Sequence, residues 1–212
     1  MNEQKMKVIP IAISLLAFFS SVLALYFAQL RPAKLQIVAG EHLNIGYYDE
    51  GNLNITLPIS FVNEGARSST IRRVALLIQR PGSQEGYLLE PLFYQRINEK
   101  GDFLHESMPV PVTVAAKQSI VKQVLFRSSF ERPGEFQLVD AGTYNLKLIG
   151  WTEDSIEPRV SDSFSIILSD NTVTSLKQCR ANKKSATERI PQSTWRKWAA
   201  HHLTEVEVKA LR

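Results

Sequence analysis

The chain reads as an all-β sandwich carried behind a membrane-crossing helix. Three observations predict it. Val8 to Leu30 holds no charged residue over 23 positions, enough for a helix of about 35 Å against a bilayer core of about 30 Å. Leu53 to Phe61 alternates without exception, with Leu53, Ile55, Leu57, Ile59 and Phe61 on one face, the period of a half-buried strand. Between residues 35 and 170 no helical periodicity competes with that pattern.

The apolar stretch has the margins of an anchor. Lys5 and Lys7 precede it, Arg31 and Lys34 follow, and Tyr26 and Phe27 lie near its end, where aromatic rings favour the interface. Pro10 is expected in the first helical turn, where a missing N–H costs little. A cleavable signal sequence ending near Val22 and Ala24 is the competing reading, but its apolar region spans only about 7–15 residues. Two lysines and the α-amino group before the helix slightly outweigh Arg31 and Lys34 after it, so residues 1–34 are expected to be a short inner N-terminus and a single-pass helix in the cell membrane. The C-terminal domain then lies on the extracytoplasmic side. Ser20, Ala24 and Ala28 recur every four residues, a spacing open to helix pairing and a homo-oligomer.

Charge divides the chain. Residues 1–34 carry a net +3, residues 35–170 a net −5 and residues 171–212 a net +6. The basic character belongs to the two ends, so the middle does not read as a nucleic-acid binder. A single cysteine, Cys179, excludes an intramolecular disulfide, and the hydrophobic core must hold the domain unaided.

Taken in order, Leu35 to Gly46 reads as a short strand with Leu35, Ile37 and Ala39 alternating, and residues 49–52 as a turn. In the strand from Leu53, Pro58 cannot donate to a ladder and predicts an edge, a bulge or an unpaired position. Asn63 to Gly65 turns the chain into a strand over Ile71 to Gln79. Tyr87 to Ile97 is a strand interrupted by Pro91, residues 101–111 are ambiguous, and Ser119 to Arg127 is strand-like. Tyr144, Leu146 and Leu148 mark another strand, and Phe164, Ile166 and Leu168 the last. Seven to nine short strands separated by turn residues describe a sandwich over 35–170.

Asp140-Ala141-Gly142-Thr143-Tyr144-Asn145-Leu146 resembles the D-x-G-x-Y-x-C signature of immunoglobulin-like folds. The resemblance implies a corner in which the Tyr144 hydroxyl bonds back to the chain near Asp140, both residues being structural. Leu146 stands in the cysteine position, and the strand over Ile71–Gln79 has no tryptophan, which argues against an antibody-type domain. Phe61, Asn63, Gly65, Val74 and Leu76 share the layout of bacterial cell-adhesion-related (CARDB-type) sandwich domains. Covering about residues 53–169, the resemblance implies binding or structural roles more often than catalysis.

Catalytic signatures are missing. There is no GxSxG, GxxxxGK[ST], HExxH or paired CxxC, so no catalytic, cofactor-binding or metal-ligating residue is assigned. His42, His105, His201 and His202 have no ligand spacing around them.

Residues 171–192 are polar and basic and read as a linker. Ser193 or Thr194 then caps an amphipathic helix over 193–212, with Trp195, Trp198, His202, Val206 and Ala210 on one stripe and Leu203 beside it. Trp195, Trp198, Leu203, Lys177, Lys183 and Lys184 are the candidate interaction residues. Docking on a partner protein or on the acidic sandwich is the first reading, and membrane contact the second.

The function expected from these features is a non-catalytic, membrane-anchored module. It would present a protein-interaction surface for assembly, adhesion or envelope organisation, with the lipid bilayer as partner through Val8–Leu30, no nucleic acid and no cofactor. The alternatives are a ligand-binding or enzymatic module using sandwich end loops such as 152–158, and a cytosol-facing adaptor.

Overall fold

A computed structural model describes residues 3–47, 52–80, 82–83, 86–99, 103–128, 138, 140–153, 155–181 and 186–192, without the side chains of 3–11, 186 and 187. Helix α1 spans Glu3–Leu25 and continues as a π-helical turn over Tyr26–Leu30. Every side chain from Ala12 to Leu30 is exposed, and the helix is long and apolar enough to cross a membrane. Because α1 already starts at Glu3, Pro10 falls inside the helix and not in its first turn. The apolar run is preceded by a helical polar turn, and membrane-type helices tolerate an interior proline.

Eleven strands follow: β1 (Leu35–Ala39), β2 (His42–Tyr47), β3 (Leu53–Asn63), β4 (Ser69–Gln79), β5 (Gly86–Ile97), β6 (Phe103–Ser107), β7 (Val112–Val114), β8 (Gln118–Arg127), β9 (Gly142–Thr152), β10 (Val160–Leu168) and β11 (Ala186–Pro191). All pairings among them are antiparallel. The path β10-β9-β4-β5-β8-β3-β2-β11 gives a nearly barrel-shaped sheet, with β1, β6 and β7 added beside β3, β5 and β4.

Strand β5 turns the corner between the two halves. Its first residues pair with β4, and from Glu90 on it pairs with β8. The register slips between Pro91 and Phe93, as expected where proline withdraws a donor and the strand must bend. The two ends of the path approach each other, since Ile166 of β10 bridges to Gln192 just after β11. The side-chain amide of Gln192 donates to the Gly40 carbonyl at 2.6 Å.

The alternating faces built the core as the sequence predicts. Leu53, Ile55, Leu57, Ile59 and Phe61 are wholly buried and meet Leu43 and Ile45 of β2, Val124 and Phe126 of β8, and Tyr144 and Leu148 of β9. Each such side chain stabilises the fold by roughly 1.5–3 kcal/mol relative to exposure. β3 is thus an interior strand, and Pro58, in register opposite Gln123 of β8, is accommodated because its other side faces neither β1 nor β2. β2 pairs with β3 over residues 53–56 and β1 over residues 59–63. Pro58 lies in the gap between them, its carbonyl accepting from Gly40 N at 2.8 Å.

Two further expectations change. Leu35 to Gly46 is two strands, broken at Gly40 and Glu41 where the chain passes that gap. The expected linker over 171–192 contains α2 (Asp170–Ala181) and β11. Ser169 caps α2 through its hydroxyl, which accepts from Thr172 N at 3.2 Å, and Val173 and Leu176, three residues apart, are buried on its inner face. β11 adds an edge to β2 and buries Ile190. Two buried apolar residues on a polar helix are too sparse a stripe to stand out from the sequence.

Candidate functional site

Two places carry more polar organisation than a stable core requires: the joint between α1 and the sheet, and a groove across the outer face of β2, β3, β8, β5 and β6.

The joint is built on Asn63. It continues the inward register of β3 beyond Phe61 and is almost fully buried, so its amide must find partners. Its Oδ1 accepts from the backbone N–H groups of Lys34 at 3.1 Å and Gly65 at 2.9 Å. Its Nδ2 donates to the carbonyls of Arg67 at 2.7 Å and Val114 at 3.2 Å. Two donors and two acceptors are all used.

Around it, Glu64 N donates to Lys34 O at 3.0 Å, Ala66 N to Arg31 O at 3.1 Å and Lys117 N to Gly65 O at 3.1 Å. Gly65 has no room for a side chain, since a Cβ there would lie 2.2 Å from the Pro32 carbonyl oxygen and 2.5 Å from Ala33 Cα. Lys34 Nζ meets Glu64 Oε2 at 2.6 Å, and this hydrogen-bonded ammonium holds the Glu64 carboxyl below its ordinary range. Residues 31–34 are therefore a strapped neck that leaves no free linker between α1 and β1.

The groove follows from strand alternation. Val124 and Phe126 of β8 point into the core, so Gln123, Leu125 and Arg127 point outward. Register then places Asn44, Thr56, Leu125 and Phe93 in one row, and Gly46, Asn54 and Arg127 in the next. Past the β5 bulge Tyr94 turns inward and Gln95 outward, opposite His105 of β6. Asn44, Asn54, Thr56, Phe93, Gln95, His105, Leu125 and Arg127 line a cavity of about 470 Å³, a size typical of ligand sites. Its floor is deep, because Thr56, Gln95 and Leu125 are all more than nine-tenths buried although they face outward.

Within the groove Thr56 Oγ1 donates to Gln95 Oε1 at 3.2 Å, and Arg127 Nε donates to Asn54 Oδ1 at 2.9 Å. The rings of Phe93 and His105 stack at 4.2 Å, and Phe103 stands on the same wall. Directly opposite Gln95, the buried Gln123 Oε1 has no hydrogen-bond partner. Among the described residues, neither aspartate nor glutamate lines the groove. Tyr47 closes one end, and its hydroxyl accepts from Leu138 N at 2.9 Å. Burial pushes the Tyr47 phenol up from its ordinary value.

The residues singled out in the sequence fall elsewhere. Tyr144 is wholly buried and its hydroxyl donates to the Asp140 carbonyl at 3.0 Å, a bond that turns the chain into β9. Burial raises the Tyr144 phenol. Lys177 is exposed on α2 and does not line the groove. Trp195, Trp198, Leu203, Lys183 and Lys184 lie outside the described residues. The sequence places Asn63 in a turn and in the sandwich layout without showing that it is buried, although a polar residue at the next inward position of an apolar strand is a readable signal for that; the groove has no such signal. Comparison with protein-family models and with curated proteins finds no match to this chain.

Proposed function

We propose that this chain is a single-pass, membrane-tethered and non-catalytic binding module, immunoglobulin-like in fold. Its groove takes a hydroxyl-rich ligand of the glycan class from the extracytoplasmic side. The groove carries this reading. It sets carboxamides (Asn44, Asn54, Gln95), a hydroxyl (Thr56) and a guanidinium (Arg127) beside an aromatic wall of Phe93, His105 and Phe103. Amides both donate and accept, as a sugar hydroxyl does, while aromatic faces match the apolar face of a sugar ring. Among the described residues the lining offers amides, a hydroxyl and a guanidinium, groups that hold a sugar hydroxyl by hydrogen bonds.

The tyrosine corner at Tyr144 and the passage of β5 between two half-sheets support the immunoglobulin-like reading. The uncharged stretch Val8–Leu30 and the cations on either side of it support the anchor and its orientation. A photo-crosslinking residue at Phe103 in the full-length protein, expressed in intact cells, tests the function. The expected result is a discrete adduct that carries carbohydrate and is missing when the probe is moved to Lys147 on β9. Adducts containing only protein, or the same adducts from both positions, contradict a glycan ligand.

A further inference from the structure

The neck has a consequence for the loop between β9 and β10. Four ends of chain gather where α1 joins the sheet: the neck itself, the turn after Asn63, the turn at Ala115–Lys117, and the loop that follows Thr152. Hydrogen bonds tie the first three together. The fourth belongs to the same end because Thr152 pairs with Ile71 near the start of β4. A depression there is lined by Pro32, Leu35, Ser69, Thr152 and Arg159. The loop is held at its base by Arg159 N donating to Gly150 O at 3.0 Å, and internally by Arg159 Nε donating to Ser155 Oγ at 3.0 Å.

At its tip stands Ile156, 98% exposed, the most exposed large apolar side chain among the described residues. β9 runs toward the neck and β10 away from it, so the hairpin tip projects beyond Leu35 on the side from which α1 arrives. Half of a seven-residue loop reaches about 10 Å, and a four-residue neck spans at most about 14 Å. The headgroup layer is itself about 5–8 Å deep.

We infer that the β9–β10 loop is a second membrane contact, with Ile156 seated in the interface of the same bilayer that holds α1. The inference rests on the proposed anchoring of α1 and is independent of what the groove binds. Arg159, Arg67 and Lys117 are exposed at this end, but so are Glu153 and Glu157 beside Ile156. Apolar burial, not net charge, is therefore the attraction. With the neck strapped and the loop seated, the sheet stands at a fixed tilt, and the groove keeps a constant aspect to whatever approaches.

The test uses the full chain in liposomes of zwitterionic phospholipid, with Cys179→Ser and a nitroxide on Ile156→Cys, a position exposed enough that folding is not at stake. Collision with oxygen is compared with collision by a water-soluble nickel chelate, and Ile167→Cys on β10 serves as the reference. A severalfold higher oxygen-to-nickel ratio at 156 than at 167 is expected. Equal, water-like ratios in protein that resists alkaline extraction overturn the loop contact alone. Release of the protein by alkaline extraction overturns the anchoring, and the loop contact with it.

Discussion

The buried side-chain oxygen of Asn63 accepts the backbone N–H of Lys34 at 3.1 Å. That bond joins the end of β3 to the first residues after the helix. Its partners turn one amide into the keystone of the neck. Asn63→Ala strands the Lys34 and Gly65 N–H groups and the Arg67 and Val114 carbonyls, and each such buried group costs about 1–3 kcal/mol unless water reaches it. A net loss of about 2–4 kcal/mol, or roughly 6–12 °C in Tm for a domain of this size, is expected in thermal unfolding of the detergent-solubilised chain.

Gly65→Ala strains the same joint without touching its hydrogen bonds. All three atoms nearest to the added Cβ belong to the backbone of residues 32–34, so the neck must move. Overpacking of this kind costs about 1–3 kcal/mol. Limited trypsin digestion of the variant is expected to cut after Lys34 well before the wild-type chain is cut there, while the far-ultraviolet β signal is kept.

Gly40 and Pro58 form a second matched pair. A Cβ at Gly40 would stand 2.5 Å from Pro58 Cγ, and the two residues share the bond that spans the β1–β2 gap. Gly40→Ala should destabilise by about 1–3 kcal/mol. In the Gly40→Ala/Pro58→Ala double variant the total loss should be smaller than the sum of the single losses by about 1 kcal/mol. Strict additivity in denaturant titrations would separate the two residues.

Alkaline pH should weaken the domain through its tyrosines. Burial raises the phenols of Tyr47, Tyr94 and Tyr144 above 10.0. As pH rises through about 10 the unfolded chain releases these protons while the folded chain keeps them, so stability falls with pH. The contribution is complete below pH 10 and is lost above it. Tm measured from pH 8 to 11 should decline more gently in Tyr47→Phe than in wild type, and equal slopes would contradict the assignment.

Much of the fold was legible because one rule generated it. Leu53 to Phe61 alternate with no exception, and the structure buries all five apolar side chains. Pro58 and Pro91 also marked real irregularities, a gap between β1 and β2 and a bulge in β5. The rest required tertiary partners. α2 buries only Val173 and Leu176, too weak a stripe to read, and β11 is added along the edge of β2. The groove was hidden for the same reason: Asn44, Thr56, Phe93, Gln95 and His105 come from four strands with no fixed spacing, and only the register brings them together. Asn63 reads as part of a turn, but its hydrogen bonding depends on Lys34, 29 residues earlier.

The distance between α1 and the sheet tests the account most directly, because the account holds that no flexible linker separates them. Nitroxides at Gln29 and Lys147, in a Cys179→Ser background, allow that distance to be read by pulsed electron resonance in liposomes. A single narrow distribution, broadened by Asn63→Ala, is the predicted result. A broad distribution in the otherwise unchanged chain, indifferent to Asn63→Ala, would show a loose tether and contradict it.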